Sequence, residues 1–348
     1  MEFLQDYGLF LAQVITVVIA IGAVIALIAS QKQKDNVSGH IKVDKINDKL
    51  QAMSSVLKEA VYEPEQLKKE KKEEKKAQKA AKKQAKKSDD DSNETARKRI
   101  YLLDFNGDIK ASATAQMRES ITAILAIATV DDEIVLKLES AGGMVHSYGL
   151  ASSQLSRITA QKIPLTVCVD KVAASGGYMM ACVADKICAA PFAIIGSIGV
   201  LAQIPNFNRL LKKHDIDFEL LTAGEYKRTL TMLGENTDKG RKKFVDDLEK
   251  THQLFKDFVK QNRDSVNIDD VSTGEIWFGT TAKEKMLVDS IQTSDDYITQ
   301  LAGDSDIFHV TYVQKKTVAE KIGMAAHATI DRTVLKLWER LRLSRFLM

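Results

Sequence analysis

A chain of 348 residues that is 45% hydrophobic and 28% charged can bury a large core, which excludes global disorder. Its formal net charge of +3 is concentrated in residues 68–87, where eleven lysines face three glutamates and leave −5 for the rest of the chain. That run contains no aromatic residue, which argues against nucleic acid bound by base stacking and for a solvated tail or contact with anionic lipid headgroups.

In chain order, residues 8–29 come first: 22 positions, mostly apolar and without a charge, enough to cross a bilayer core. Glu2 and Asp6 precede them where a cleaved leader would carry basic residues, so residues 1–30 are predicted to be an uncleaved membrane anchor. Lys32, Lys34, Lys42, Lys45 and Lys49 follow the span and no lysine precedes it, which puts the body of the protein on the cytoplasmic side. Residues 31–97 read as a charged tether, helical over 43–61, followed by the lysine run and a flexible polar linker.

From residue 98 short β-branched runs alternate with helical patterns. Strands are predicted at RIYLLDFNG, EIVLKLES and LTVCVD, with helices over about 115–128 and 145–160. This alternation indicates α/β architecture with a parallel sheet covered by helices. Further elements are predicted as a strand at 217–221, a long amphipathic helix at 237–263, and an amphipathic helix within a C-terminal segment, 316–348. The three cysteines, Cys168, Cys182 and Cys188, form no CxxC pair; buried free thiols are expected, with no disulfide framework and no metal. No cofactor is expected.

Two loops carry the chemistry. Ser140-Ala141-Gly142-Gly143 follows EIVLKLES, and Ala174-Ser175-Gly176-Gly177 follows LTVCVD and the turn KVA. Glycine inside an element costs about 0.5–1 kcal/mol relative to alanine, so two such pairs at the carboxyl ends of strands point to close backbone approach to a substrate. Together they can form an oxyanion hole, in which each donor contributes about 2.7–4 kcal/mol to acyl transfer. A serine between them is a candidate nucleophile that needs a base. His146, Lys171 and Lys227 all fall in plausible loops, and physical reasoning alone does not choose among them.

The motifs S-x-G-G, AASGGYMMACVADKI, APFAIIGSIGV (190–200), GEYKRTL (224–230) and TGEIWFGTTAKEKMLVD (273–289) occur in this order and resemble the signal peptide peptidase A (protease IV) family of serine peptidases. The resemblance implies a ClpP/crotonase-like domain of repeated ββα units over 98–315 and a Ser–Lys dyad. Ser175 matches the family nucleophile and Lys227 the general base, with Gly143 and Gly176 at the oxyanion-hole positions. Ser197 matches a serine that hydrogen-bonds the lysine. Lys171 becomes a peripheral residue and His146 a cleft residue without a proton-transfer role. The resemblance also implies a homo-oligomeric ring in a bacterial inner membrane, acting on peptides or unfolded protein segments such as signal-peptide remnants.

Two departures stand out: Ala141 where the family usually has proline, and Met286 where it usually has glycine. The first is expected to loosen the oxyanion loop. Better-known relatives act outside the cytoplasm, in conflict with the lysine-based orientation. Competing functions are a crotonase-like acyl-CoA enzyme, which shares the fold and paired amides, and a catalytically silent membrane scaffold that binds peptides. Tyr178, Met179 and Met180 are candidates for an apolar subsite or for core.

Overall fold

The structure is a computed structural model that describes Thr16 and residues 39–69, 72, 76 and 97–314. The anchor at 8–29, most of the lysine run and the C-terminal helix expected near 331–342 fall outside the described residues, apart from isolated positions. Among the described residues no helix is long and apolar enough to cross a membrane.

The described residues build a ten-stranded sheet with the path β1 (His40–Lys45), β10 (Ser305–Val313), β2 (Lys98–Gly107), β3 (Glu133–Ser140), β4 (Leu165–Val169), β6 (Lys186–Ala189) and β9 (Ser290–Ile291). A branch leaves β3 through β5 (Val172–Ala174) to β7 (Ile194–Gly196) and β8 (Ile276–Phe278). The registered pairs from β10 through β9 along the path are parallel, whereas β7 and β8 run antiparallel. A parallel ladder covered on both faces needs strands that are apolar throughout, and the five residues of β4, LTVCV, are all buried.

Alternation along β2 divides the core. Tyr101, Leu103 and Phe105 join the larger cluster on one face, while Ile100 and Leu102 join a second cluster with Val135, Cys168, Cys188 and Ile298. Helices α2 (Thr114–Leu125), α3 (Val145–Ala160) and α4 (Gly176–Ala181) cover the first face. On α3 the buried stripe runs Tyr148, Ala151, Leu155 and Ile158, the spacing that keeps one helical face on a core. The second face is pinned by Glu133, which accepts hydrogen bonds from Lys98 Nζ (2.6 Å), Thr166 Oγ1 (2.9 Å) and Tyr297 OH (2.6 Å). Burial pushes the Glu133 carboxyl up, and these donors outweigh burial to hold it below its usual range. The cysteines are free and buried. Cys168 and Cys188 are register partners across β4 and β6.

The long helix α6 (Asp238–Asn262) starts where Thr237 Oγ1 accepts the Gly240 amide at 3.1 Å, an N-cap that satisfies one orphan donor. Just beyond its end, Arg263 is 8% exposed and forms a two-pronged pair with Asp289 at 3.0 and 2.8 Å. Asp289 also accepts the Ile187 amide at 2.7 Å, so one carboxylate ties the end of α6 to β6.

Three expectations need correction. Residues 43–45 belong to strand β1, not to the helix, which starts at Ile46 as α1 (Ile46–Val61); the alternating HIKVDK suits a sheet edge. The turn KVA is partly the short strand β5, because Val172 to Ala174 pair with Ile194 to Gly196. No strand forms at 217–221. Phe218 and Leu220 alternate as a strand would, but both are exposed and no ladder reaches them, and period-2 patterning without a partner edge cannot satisfy backbone groups.

Met286, at the position where glycine is usual, has φ 60°. Replacing it with glycine removes about 1–2 kcal/mol of left-handed strain against about 0.5–1 kcal/mol of added chain entropy. Met286→Gly is therefore expected to raise the urea midpoint. Asp289→Ala is expected to lower unfolding free energy by about 3–5 kcal/mol in the same assay, because it strands a buried guanidinium.

Candidate active site

Strand β5 ends at Ala174 and helix α4 begins at Gly176, so Ser175 alone makes the turn between them. Its backbone is at φ 52°, ψ −120°, a conformation that costs a serine about 1–3 kcal/mol and persists only when surroundings enforce it. Enforcement comes from the Ser175 amide donating to Gly196 O (2.8 Å) and Ser175 O accepting from the Met179 amide (2.9 Å). A serine on so sharp a strand-to-helix turn presents its hydroxyl outward.

The second glycine loop lies directly against this turn. Gly142 has φ 89°, and a Cβ there would stand 2.7 Å from the Gly176 nitrogen and 2.8 Å from Ser175 Cβ. A Cβ on Gly176 would run into the Tyr148 ring, and one on Gly177 into the Ser140 carbonyl. The loop is held despite lacking the proline. Gly142 N donates to Ser140 Oγ (3.1 Å), Ser140 Oγ and Tyr148 OH share a 2.5 Å bond, Tyr148 OH donates to Asp108 O (2.8 Å), and Met144 N donates to Ile109 O (2.8 Å). Burial raises the Tyr148 phenol above its usual range, which keeps it a neutral hydrogen-bonding strut. The Gly176 amide opens α4 and has no intrahelical acceptor. The Gly143 amide lies one residue before the amide that bonds Ile109.

Ser175, Gly143, Gly176 and Ser197 line one cleft of about 780 Å³. Its walls are mainly apolar, with Ile109, Met144, Val145, Met179, Leu201 and Phe255 among them. Of the three candidates for an apolar subsite, Met179 reaches the cleft, while Tyr178 and Met180 are wholly buried core. Ser197, at φ 51°, donates its backbone amide to Glu275 O (2.7 Å), and its hydroxyl donates to Gly274 O (3.4 Å).

Lys227 lies in the irregular stretch between α5 (Asn208–Lys213) and α6, is exposed, and does not line the cleft. Lys171 is exposed and pairs with Glu139 at 3.0 Å. His146 is exposed at the start of α3 and is also absent from the cleft lining. Among the described residues that do line it, the one ionisable ring is His252, which sequence proximity to the glycine loops did not pick out. A signal was present: on α6, His252, Phe255 and Val259 share a helical stripe whose last two members are buried.

Family models match nearly the whole chain: Peptidase family S49 N-terminal over residues 2–155 and Peptidase family S49 over residues 157–307. The chain is 49% identical over 329 residues to "Probable protease SohB" of Haemophilus influenzae, with 93% of each protein covered. It is 50% identical over 339 residues to "Probable protease SohB" of Buchnera aphidicola subsp. Acyrthosiphon pisum, covering 97% of this chain and 98% of the relative.

The packing of the two loops sets a sharp requirement at Gly142. Gly142→Ala is expected to cost about 1–2 kcal/mol from φ alone and to displace the Gly176 amide. The rate of fluorophosphonate labelling at Ser175, followed by intact mass, should fall at least about tenfold, since one misplaced oxyanion donor costs about 10²–10³.

Proposed function

We propose, from the premise that this chain belongs to peptidase family S49, that it is a serine endopeptidase working through Ser175 and Lys227. The observation that carries this reading is the strained turn at Ser175, set beside the Gly143 and Gly176 amides in a substrate-sized cleft. Ser175 Oγ attacks a peptide carbonyl carbon while its proton passes to the neutral Lys227 amine. Charge developing on the carbonyl oxygen is held by the two amides. The protonated lysine then gives its proton to the leaving amine, which departs with the new N-terminus and leaves an acyl-enzyme. Water, deprotonated by the same lysine, hydrolyses the ester and restores Ser175.

This mechanism requires the stretch that bears Lys227 to cover the cleft. That stretch exposes Leu221, Tyr226 and Met232, with Leu201 lining the cleft, and exposed apolar groups of this size favour association. A homo-oligomeric ring would bury them and strip water from Lys227, as a lysine base needs. We assign the body the ClpP/crotonase-like ββα architecture, supported by the unit β4–β5–α4 and by the branch that carries Ser175. Residues 8–29 anchor it in the bacterial inner membrane, with the flanking lysines favouring a cytoplasmic body. Substrates are peptides or unfolded segments, signal-peptide remnants among them.

Ser175→Ala and Lys227→Ala are each expected to lower peptide cleavage by about 10³-fold or more with circular dichroism and oligomer size unchanged. Near-normal turnover in Lys227→Ala would remove the lysine from the mechanism. Absence of a fluorophosphonate adduct on folded, assembled wild-type protein would remove the serine and return the crotonase-like and scaffold readings.

A further inference from the structure

The imidazole of His252 has no role in the dyad, yet it stands in the same cleft as Ser175. Its Nε2 is enclosed and has no hydrogen-bond partner among the described residues. Enclosed polar atoms are almost always paired. The comparable orphans among the described residues, Thr114 Oγ1 and Arg263 Nε, belong to residues that do not line the cleft, so of the three only the His252 ring borders space a ligand can fill, and a small turn of the ring is needed to bring the enclosed Nε2 to it.

Its position on the helix is also specific. His252 and Phe255 lie one turn apart on α6 and both line the cleft, with Thr251 beside them. Phe255 is 4% exposed, and Val259, one turn further on, is fully buried, so the stripe is fixed in the core and the ring cannot swing far from the cavity. Apart from the glycine loops, the surrounding wall is largely Ile109, Met144, Val145, Met179, Val200 and Leu201. Such a wall accepts apolar side chains and leaves an extended peptide's main-chain amides and carbonyls in want of partners. An imidazole nitrogen serves either kind of group, as donor or acceptor according to tautomer.

We propose that His252 is a specificity-determining residue of the Ser175 cleft, whose ring turns on peptide binding so that Nε2 hydrogen-bonds a main-chain group of an extended peptide with apolar side chains. The inference rests on the peptidase reading for the identity of the ligand, but not on turnover.

The test is peptide affinity in a Ser175→Ala background, read by fluorescence anisotropy with a fluorescein-labelled extended Leu/Ala peptide. Adding His252→Leu, which fills space without a polar atom, is expected to raise Kd about tenfold, the scale of one lost hydrogen bond. Adding His252→Gln, whose amide nitrogen reaches about as far as Nε2, is expected to hold Kd within about threefold. A purely structural role would shift the melting temperature in both variants and leave Kd alone, and that result overturns the proposal. So does equal weakening in the Leu and Gln variants, which would make ring shape the determinant. Failure of Ser175→Ala itself to bind the peptide overturns the cleft as a peptide site, and His252's role with it. Expected affinities in this series alongside a wild type that binds but never cleaves would uphold His252 and overturn the peptidase reading alone.

Discussion

The backbone contact between two glycine loops is the constraint on which the rest of the structure depends. Gly142 packs against the Gly176 nitrogen and Ser175 Cβ at distances that leave no room for a side chain, and this contact brings the Gly143 and Gly176 amides to the same cleft as the Ser175 hydroxyl. Neither loop can be set by its own residues. The first follows β3 and the second follows β5, and these strands meet at Ser140 and Ala173. The spacing of the two amides is therefore a property of the sheet.

The supports around this contact are shared between helices and sheet. Tyr148 does two jobs from α3: its ring closes the space beside Gly176, and its hydroxyl links Ser140 to the Asp108 carbonyl. From the other side, Asp289 holds Arg263 and the Ile187 amide, fixing the end of α6 against β6. That attachment keeps Phe255 and His252 at the cleft wall. The strain stored at Ser175 is small beside the burial of Tyr178, Met180 and Ile195 in the main cluster, at about 1.5–3 kcal/mol for a large apolar side chain.

The parallel strands were legible because their signal is local. EIVLKLES keeps Ile134, Leu136 and Leu138 on one face and LTVCV is buried throughout, and the strand ends were read within a residue. The long helix was legible from its amphipathic period. The glycine pairs were legible as well, because two of them at strand ends point to close approach. What escaped local reading depends on partners. Residues 217–221 carry a strand's alternation but find no edge, and β5 is three residues long and exists only because β3 and β7 flank it. Among six histidines, His252 lies far in sequence from the glycine loops and reaches the cleft only through the packing of α6.

The same distinction explains why the proposed nucleophile and its proposed base differ so much in their surroundings. Ser175 stands on the most deeply supported part of the fold, with α4 wholly buried behind it. Lys227 stands on an irregular stretch whose large apolar side chains face outward. A hydroxyl must be positioned to a fraction of an ångström before any base can activate it, so rigidity belongs with the serine. A lysine base instead needs dehydration, which a closing surface can supply. On the proposed mechanism, placing the rigid half in the core and the dehydratable half on an exposed apolar stretch makes proton transfer conditional on that stretch being covered, so an isolated chain would hold the proposed oxyanion donors in place while lacking a working base.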